Sequence, residues 1–199
     1  MTLSLFGDLI VTALYTAFFQ NLVLSFGFGT SEMIRVSLKP KSFGMFAAMI
    51  SGFSVVTSAI CYPLDRVPAI AVLPEYLHAA VYACVLVAVY LVVAVFSRIF
   101  LGAEKAFLTT LGIAALNTLV LAIPFLNRTS AYSFAASIGS GLGAGVAFVL
   151  AAALLASGVH GLTENKDIPE VFKGTPAVFI YVGLLSLAFA GFSGNTIFS

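Results

Sequence analysis

Apolar residues along this chain come in six long runs, separated by short polar or turn-forming connectors. The runs cover roughly residues 5–28, 43–62, 76–96, 106–126, 132–156 and 177–196. Each is close to the ~20 residues an α-helix needs to cross the hydrocarbon of a bilayer. They are continuous and lack the apolar–polar alternation of a transmembrane barrel strand. The pattern therefore predicts an all-α integral membrane protein with six transmembrane helices. Ser37-Leu38-Lys39-Pro40-Lys41 follows the first run, Pro63-Leu64-Asp65-Arg66-Val67-Pro68 the second, and a polar stretch over 158–174 the fifth. No soluble domain interrupts them, so residues 1–199 read as a single membrane domain.

Two of the runs are not uniform. The first passes through Phe19-Gln20-Asn21-Leu22-Val23-Leu24-Ser25-Phe26-Gly27-Phe28-Gly29-Thr30-Ser31, an amide pair at membrane depth followed by glycines. The fourth contains Leu116-Asn117-Thr118-Leu119-Val120-Leu121-Ala122-Ile123-Pro124. Asn-Leu-Val-Leu in one and Asn-Thr-Leu-Val-Leu in the other differ by one inserted residue. Hydrocarbon supplies no water to free backbone groups, so a broken helix survives there only against protein or a polar cavity. Paired broken segments in corresponding halves point to a central site in an inverted-repeat membrane protein. The expectation is two inverted three-helix repeats, about 1–98 and 104–199, with the first and fourth helices broken. Their tips would converge on an uncharged midplane set of Gln20, Asn21, Ser25, Asn117 and Thr118. That set is either interhelical hydrogen-bond glue, at about 0.6 kcal/mol per bond, or the frame of a small cofactor or ion site.

Composition supports the membrane assignment: 61% of residues are hydrophobic and 9% charged, with a mean hydropathy of +1.11. Soluble domains carry about 25% charged residues. A formal net charge of +1 argues against a nucleic-acid partner. Arg35, Lys39, Lys41, Arg98, Lys105, Lys166 and Lys173 fall on odd-numbered connectors, whereas Arg66 and Arg128 are alone on even ones. By the positive-inside rule both termini are expected outside. The N-terminus carries Asp8 and no basic residue, so no cleavable signal peptide is expected and the first run stays in the protein.

Candidate chemistry is sparse. No phosphate loop, nucleophile elbow or His/Cys ligand cluster occurs, and no metal site is expected. His78 and His160 are solitary and read as interface or loop residues, while Cys61 and Cys84 read as small buried apolar residues. Asn127-Arg128-Thr129 is a glycosylation sequon of weak specificity. Acids lie near run ends or in connectors, which weakens any claim that this chain alone pumps ions. The Val/Leu/Ala-rich third run suits a lipid-facing helix. In the fifth, Gly139/Gly143 and Gly141/Gly145 form overlapping small-xxx-small pairs, which Gly183, Ser186, Ala190 and Gly194 of the sixth repeat more loosely. These two helices are expected to be central or to form a subunit contact.

The chain resembles the six-span membrane subunits of the Rnf and Na+-translocating NADH:quinone oxidoreductase (Nqr) complexes, most of all the Rnf A-subunit/Nqr E-subunit branch. The resemblance covers nearly the whole chain. It is carried by Asn21-Leu22-Val23-Leu24 with the glycines and Val36-Ser37 that follow, by Asn117 with Leu126-Asn127, and by Asp167-Ile168-Pro169-Glu170-Val171-Phe172-Lys173-Gly174. Its most specific part is the stretch from Gly183 to Gly194, Gly-Leu-Leu-Ser-Leu-Ala-Phe-Ala-Gly-Phe-Ser-Gly. In that family two such subunits of opposite topology pair, and each gives one cysteine from each broken helix to an intramembrane [2Fe-2S] cluster. The resemblance places those two cysteine positions at Ser31 and Thr118. Hydroxyls do not replace thiolates as ordinary cluster ligands, so no cofactor is expected here.

The resemblance implies a membrane subunit, or a divergent paralogue, of an Rnf/Nqr-type ion-translocating electron-transport complex, without a cluster of its own. The alternative is a stand-alone or homodimeric transporter of a small solute or cation, built on the polar midplane set. Expected partners are the lipid bilayer and either a second six-span subunit of opposite topology or a second copy of this chain. The expected location is a bacterial or archaeal cytoplasmic membrane.

Overall fold

The computed structural model describes residues 2–37, 39–166 and 169–192. Among these the regular structure is helical throughout. Leu38, Asp167, Ile168 and residues 193–199 lie outside the described residues, and with them part of the loop pattern, Gly194 and the end of the sixth run.

The first run begins as α1 (Thr2–Leu14), which gives way to a π-helical turn over Tyr15–Phe19. After Gln20 and Asn21 come the short α2 (Leu22–Phe26), a glycine turn, and the amphipathic α3 (Thr30–Ser37). This helix is thus interrupted twice, at the amides and at the glycines. The second run is α4 (Phe43–Leu64), and after a single turn, α5 (Pro68–Ala71), the third is α6 (Glu75–Phe100). The fourth run is split into α7 (Lys105–Ala115) and α8 (Thr118–Thr129). The fifth is α9 (Phe134–Glu164), and the sixth is α10 (Thr175–Phe192). Among the described residues, four segments are long and apolar enough to cross a membrane: Phe43–Leu64, Glu75–Phe100, Lys105–Thr129 and Phe134–Leu162. Ser4–Phe19 and Thr175–Gly191 are shorter apolar helices.

α9 is the hub. A methyl group at Gly143 would lie 2.5 Å from the Ala13 carbonyl oxygen of α1, and one at Gly141 would lie 2.8 Å from the Val55 nitrogen of α4. The two small-residue pairs therefore face two neighbours within the chain, and backbone meets backbone on both sides. Phe148, Ala151, Ala152 and Leu155 continue the same helix into the core, against Phe46 and Ile50 of α4.

One expectation about exposure is narrowed and one corrected. Of the two places expected for it, α10 does not take the central one, which leaves the subunit contact: none of its described side chains is fully buried, and it rests on α2 and α9 with the Tyr181 ring set over Gly158. Its small residues are spread too thinly to admit a backbone on two sides. Cys84 is exposed on α6, whereas Cys61 is buried. α6 presents Val87, Leu91, Val92, Val95 and Phe96 outward, as a lipid-facing helix does, and Cys84 lies near this exposed surface.

Candidate functional site

Each of the two interrupted runs has a break at an asparagine. Asn21 ends one helical segment and caps the next: its Oδ1 accepts from the backbone N–H of Val23 (3.1 Å) and Leu24 (3.3 Å). Its Nδ2 donates to the carbonyls of Ala17 (3.3 Å) and, across to α9, of Ala147 (3.0 Å). Every capacity of this buried amide is used. Asn117 caps α8 in the same way, its Oδ1 accepting from Leu119 N–H at 2.9 Å. Its Nδ2, however, is buried with no partner.

The tip of the first broken run comes down on the second break. Gly29 donates its backbone N–H to Thr118 Oγ1 at 3.0 Å. A methyl at Gly29 would lie 2.8 Å from Asn117 Oδ1, and the residue sits at φ +76°. Glycine is needed here twice over, for the left-handed backbone and for the close approach. The two runs meet, but they do so through Gly29, Asn117 and Thr118, whereas Asn21 is turned toward α9.

The remaining predicted residues lie apart from that junction. Gln20 accepts from the Tyr132 hydroxyl at 3.4 Å, toward the connector between α8 and α9. Ser25 is half-buried in α2. Ser31 is exposed at the start of α3, where its hydroxyl donates to Glu32 at 2.7 Å. Thr118 is exposed along an apolar groove that Leu22, Phe26, Phe28, Leu121 and Phe125 also line, with a volume of about 470 Å³. Among the described residues, no three His, Cys, Asp or Glu side chains group as metal ligands would.

The pattern of runs did not reveal a second polar cluster. It lies where α4 and α8 end and α9 begins. Tyr82 of α6 is fully buried and donates its hydroxyl to Asp65, 2.7 and 2.8 Å from the two carboxylate oxygens. Arg128 pairs with Asp65 at 3.7 Å. Asn127 is buried, and its amide donates to Ser58 Oγ at 3.1 Å while accepting from Ser140. The sequon is thus a packing element, because an asparagine held in this way offers no free amide. Asp65, Arg128, Asn127 and Ser58 border a cavity of about 290 Å³. Tyr132, in the connector outside the spans, lines it as well, and burial holds its phenol above the ordinary tyrosine range, with a hydrogen bond from Ser130 acting the other way. His78 is buried too and is no interface residue: Nδ1 lies 3.2 Å from the Pro74 carbonyl, while Nε2 has no partner. The one signal in the sequence was charge: Asp65, Arg66 and Arg128 sit on the two even connectors, otherwise poor in basic residues.

A hub helix with glycine on two faces, flanked by two runs that asparagine breaks and that meet inside the apolar zone, defines a polytopic helical membrane protein of the broken-helix kind. The family model described as "Rnf-Nqr subunit, membrane protein" matches residues 9–196, and the chain belongs to that family. It is 27% identical to the A-subunit of the Na(+)-translocating ferredoxin:NAD(+) oxidoreductase complex of Acetobacterium woodii, over 94% of this chain and 97% of the relative. It is 29% identical to the A-subunit of the ion-translocating oxidoreductase complex of Rhodobacter capsulatus over the same shares. With the E-subunit of the Na(+)-translocating NADH-quinone reductase of Neisseria meningitidis it shares 32% identity over 90% of this chain and 93% of that protein.

Proposed function

We propose that this chain is a membrane subunit, or a divergent paralogue of one, in an ion-translocating electron-transport assembly of the Rnf/Nqr type. The observation that carries this is full-length kinship: the relatives named as subunits of such complexes align over nine-tenths or more of both partners. In this reading the chain lies in a bacterial or archaeal cytoplasmic membrane as a single domain of six spans, with both termini outside. Two inverted three-helix repeats, about 1–98 and 104–199, make up that domain. The recurrence of an asparagine cap at Asn21 and Asn117 supports the repeat, since the same residue opens a half-helix after a break in each half.

The chain acts as frame and interface and does not hold the [2Fe-2S] cluster. Ser31 and Thr118, at the family's ligand positions, offer alcohols where a cluster of this kind takes thiolates. Both hydroxyls already take part in hydrogen bonds, with Glu32 and with Gly29 N–H. Cys61 and Cys84 are on α4 and α6, on neither broken run. The donor set does not fit the group. The natural partner is a second six-span subunit of opposite topology.

Purification of the tagged chain from its own membranes, with iron analysis and identification of the proteins that accompany it, tests this reading. Co-purification of a second six-span subunit together with redox subunits is expected, with no iron retained by the chain once it is separated from them. A homodimer free of redox partners would favour a transporter built on the polar midplane residues instead. Stoichiometric iron in the isolated chain would refute the absence of a cluster.

A further inference from the structure

The cavity bordered by Asp65 lies away from the helix junction and is independent of the electron-transport reading. Its volume of about 290 Å³ is room for about ten water molecules at ~30 Å³ each. It is at the lower end of ligand-pocket sizes, so an occupant would be small. Its walls set Asp65, Arg66, Arg128, Asn127 and two serines beside apolar residues such as Pro124 and Ala131. Two of the side chains that line it have hydrogen-bonding capacity to spare. Ser137, on the first turns of α9, is 1% exposed and its Oγ has no partner. Arg66 spends one N–H on the Tyr62 carbonyl at 2.8 Å and lies 3.6 Å over the Tyr62 ring, which leaves the rest of its guanidinium donors.

The sign of the ligand follows from what is already paired. The single carboxylate, Asp65, takes the Tyr82 hydroxyl and faces Arg128, so its charge is met twice over. A cation entering here would find that carboxylate engaged and two guanidinium groups nearby. An oxyanion would find Arg66 without a carboxylate partner, the outer N–H groups of Arg128 and the Ser137 hydroxyl. Charge-assisted bonds from arginine to carboxylate or phosphate oxygens are about twice as strong as neutral ones, and the planar fork suits two oxygens at once.

We propose that this cavity is a binding site for a small oxyanion, a carboxylate or a phosphate, held by Arg66 and Arg128 with Ser137 donating from the floor. A free solute and the phosphate of a lipid headgroup share that chemistry.

Thermal unfolding of the full chain in a non-ionic detergent, titrated with inorganic phosphate or acetate and with chloride at matched ionic strength, tests the site. Phosphate or acetate is expected to raise the melting temperature with saturation, and chloride is not. Arg66→Gln should weaken the apparent affinity about tenfold, and Ser137→Ala by a smaller factor. Arg98→Gln removes a similarly exposed arginine that donates to the Ala103 carbonyl, and should leave the response intact. A second arm adds a short-chain anionic phospholipid in place of the free anions. A response in that arm alone, lost in Arg66→Gln, assigns the oxyanion to a headgroup. Equal shifts with chloride, or an unchanged phosphate response in Arg66→Gln, would overturn the proposal. Arg66 is exposed, so its variant is expected to fold, and the titration of that variant stays interpretable.

Discussion

Asn21 and Asn117 hold the same position in two interrupted runs, and their surroundings differ in one respect. Asn21 satisfies two backbone donors of the helix it opens, returns a bond to the helix it closes, and sends another to Ala147 of the hub. Asn117 makes the capping bond and then leaves its amide nitrogen buried beside Gly29 without a partner. An unpaired buried donor costs about 1–3 kcal/mol. The first break is therefore a rivet that fastens the run to α9. The second is a seam, closed mainly by the contact between Gly29 and Thr118. One residue type at matched positions does two kinds of work, and the difference lies in what the other half of the chain presents to it.

Removing the rivet should produce the largest change. Asn21→Ala strips the cap, leaves the Val23 N–H without its acceptor, and removes the tie to the Ala147 carbonyl, which keeps its bond within α9. It is expected to destabilise by about 3 kcal/mol, read as a lowered melting temperature in detergent; a loss no larger than that of Asn117→Ala would break the distinction. At the seam, Gly29→Ala forces a side chain into left-handed backbone and against the Asn117 amide. A loss of about 2 kcal/mol is expected, and should be partly relieved when combined with Asn117→Ser, a coupling that a double-mutant cycle measures. Thr118→Val leaves the Gly29 N–H without its acceptor and should cost about 1 kcal/mol. The smallest effect is expected from Asn117→Ser, which keeps a capping oxygen and discards the unpaired nitrogen. A change within about 0.5 kcal/mol, against a clear loss for Asn21→Ser, would sharpen the contrast most directly.

How much of this was legible in the sequence depends on the range of the interaction. Membrane helices announce themselves because every residue of a run must be apolar, and the long runs of α4, α6 and α9 required nothing further. The breaks were legible because asparagine and glycine at depth have few other uses. Less visible was the double interruption of the first run: a pair of glycines marks a turn, but nothing local marks the π turn that ends at Gln20 or the bond from Asn21 to Ala147, 126 residues away. The cluster of Asp65, Tyr82 and Arg128 was hidden for the same reason, since two residues from separate connectors and one from a run show no spacing that links them. His78 looked like an interface residue because it opens a run, yet the turn of α6 carries it inward. Gln20 shared an amide pair with Asn21, but the chain leaves the helix at these two residues, and the pair was divided between Tyr132 and the hub.

Glycine on both flanks of α9 has one mechanical result. Along the glycine stretch the backbones of α1 and α4 are seated directly on α9, so no bulky side chain there can change rotamer and let one helix slide past another. The three helices must travel as a single block through any working cycle. Whatever moves has to be sought outside that block, first of all in α10, none of whose described side chains is fully buried. Spin labels on α1 and α4 would then keep one separation in every state, while a label on α10 would not.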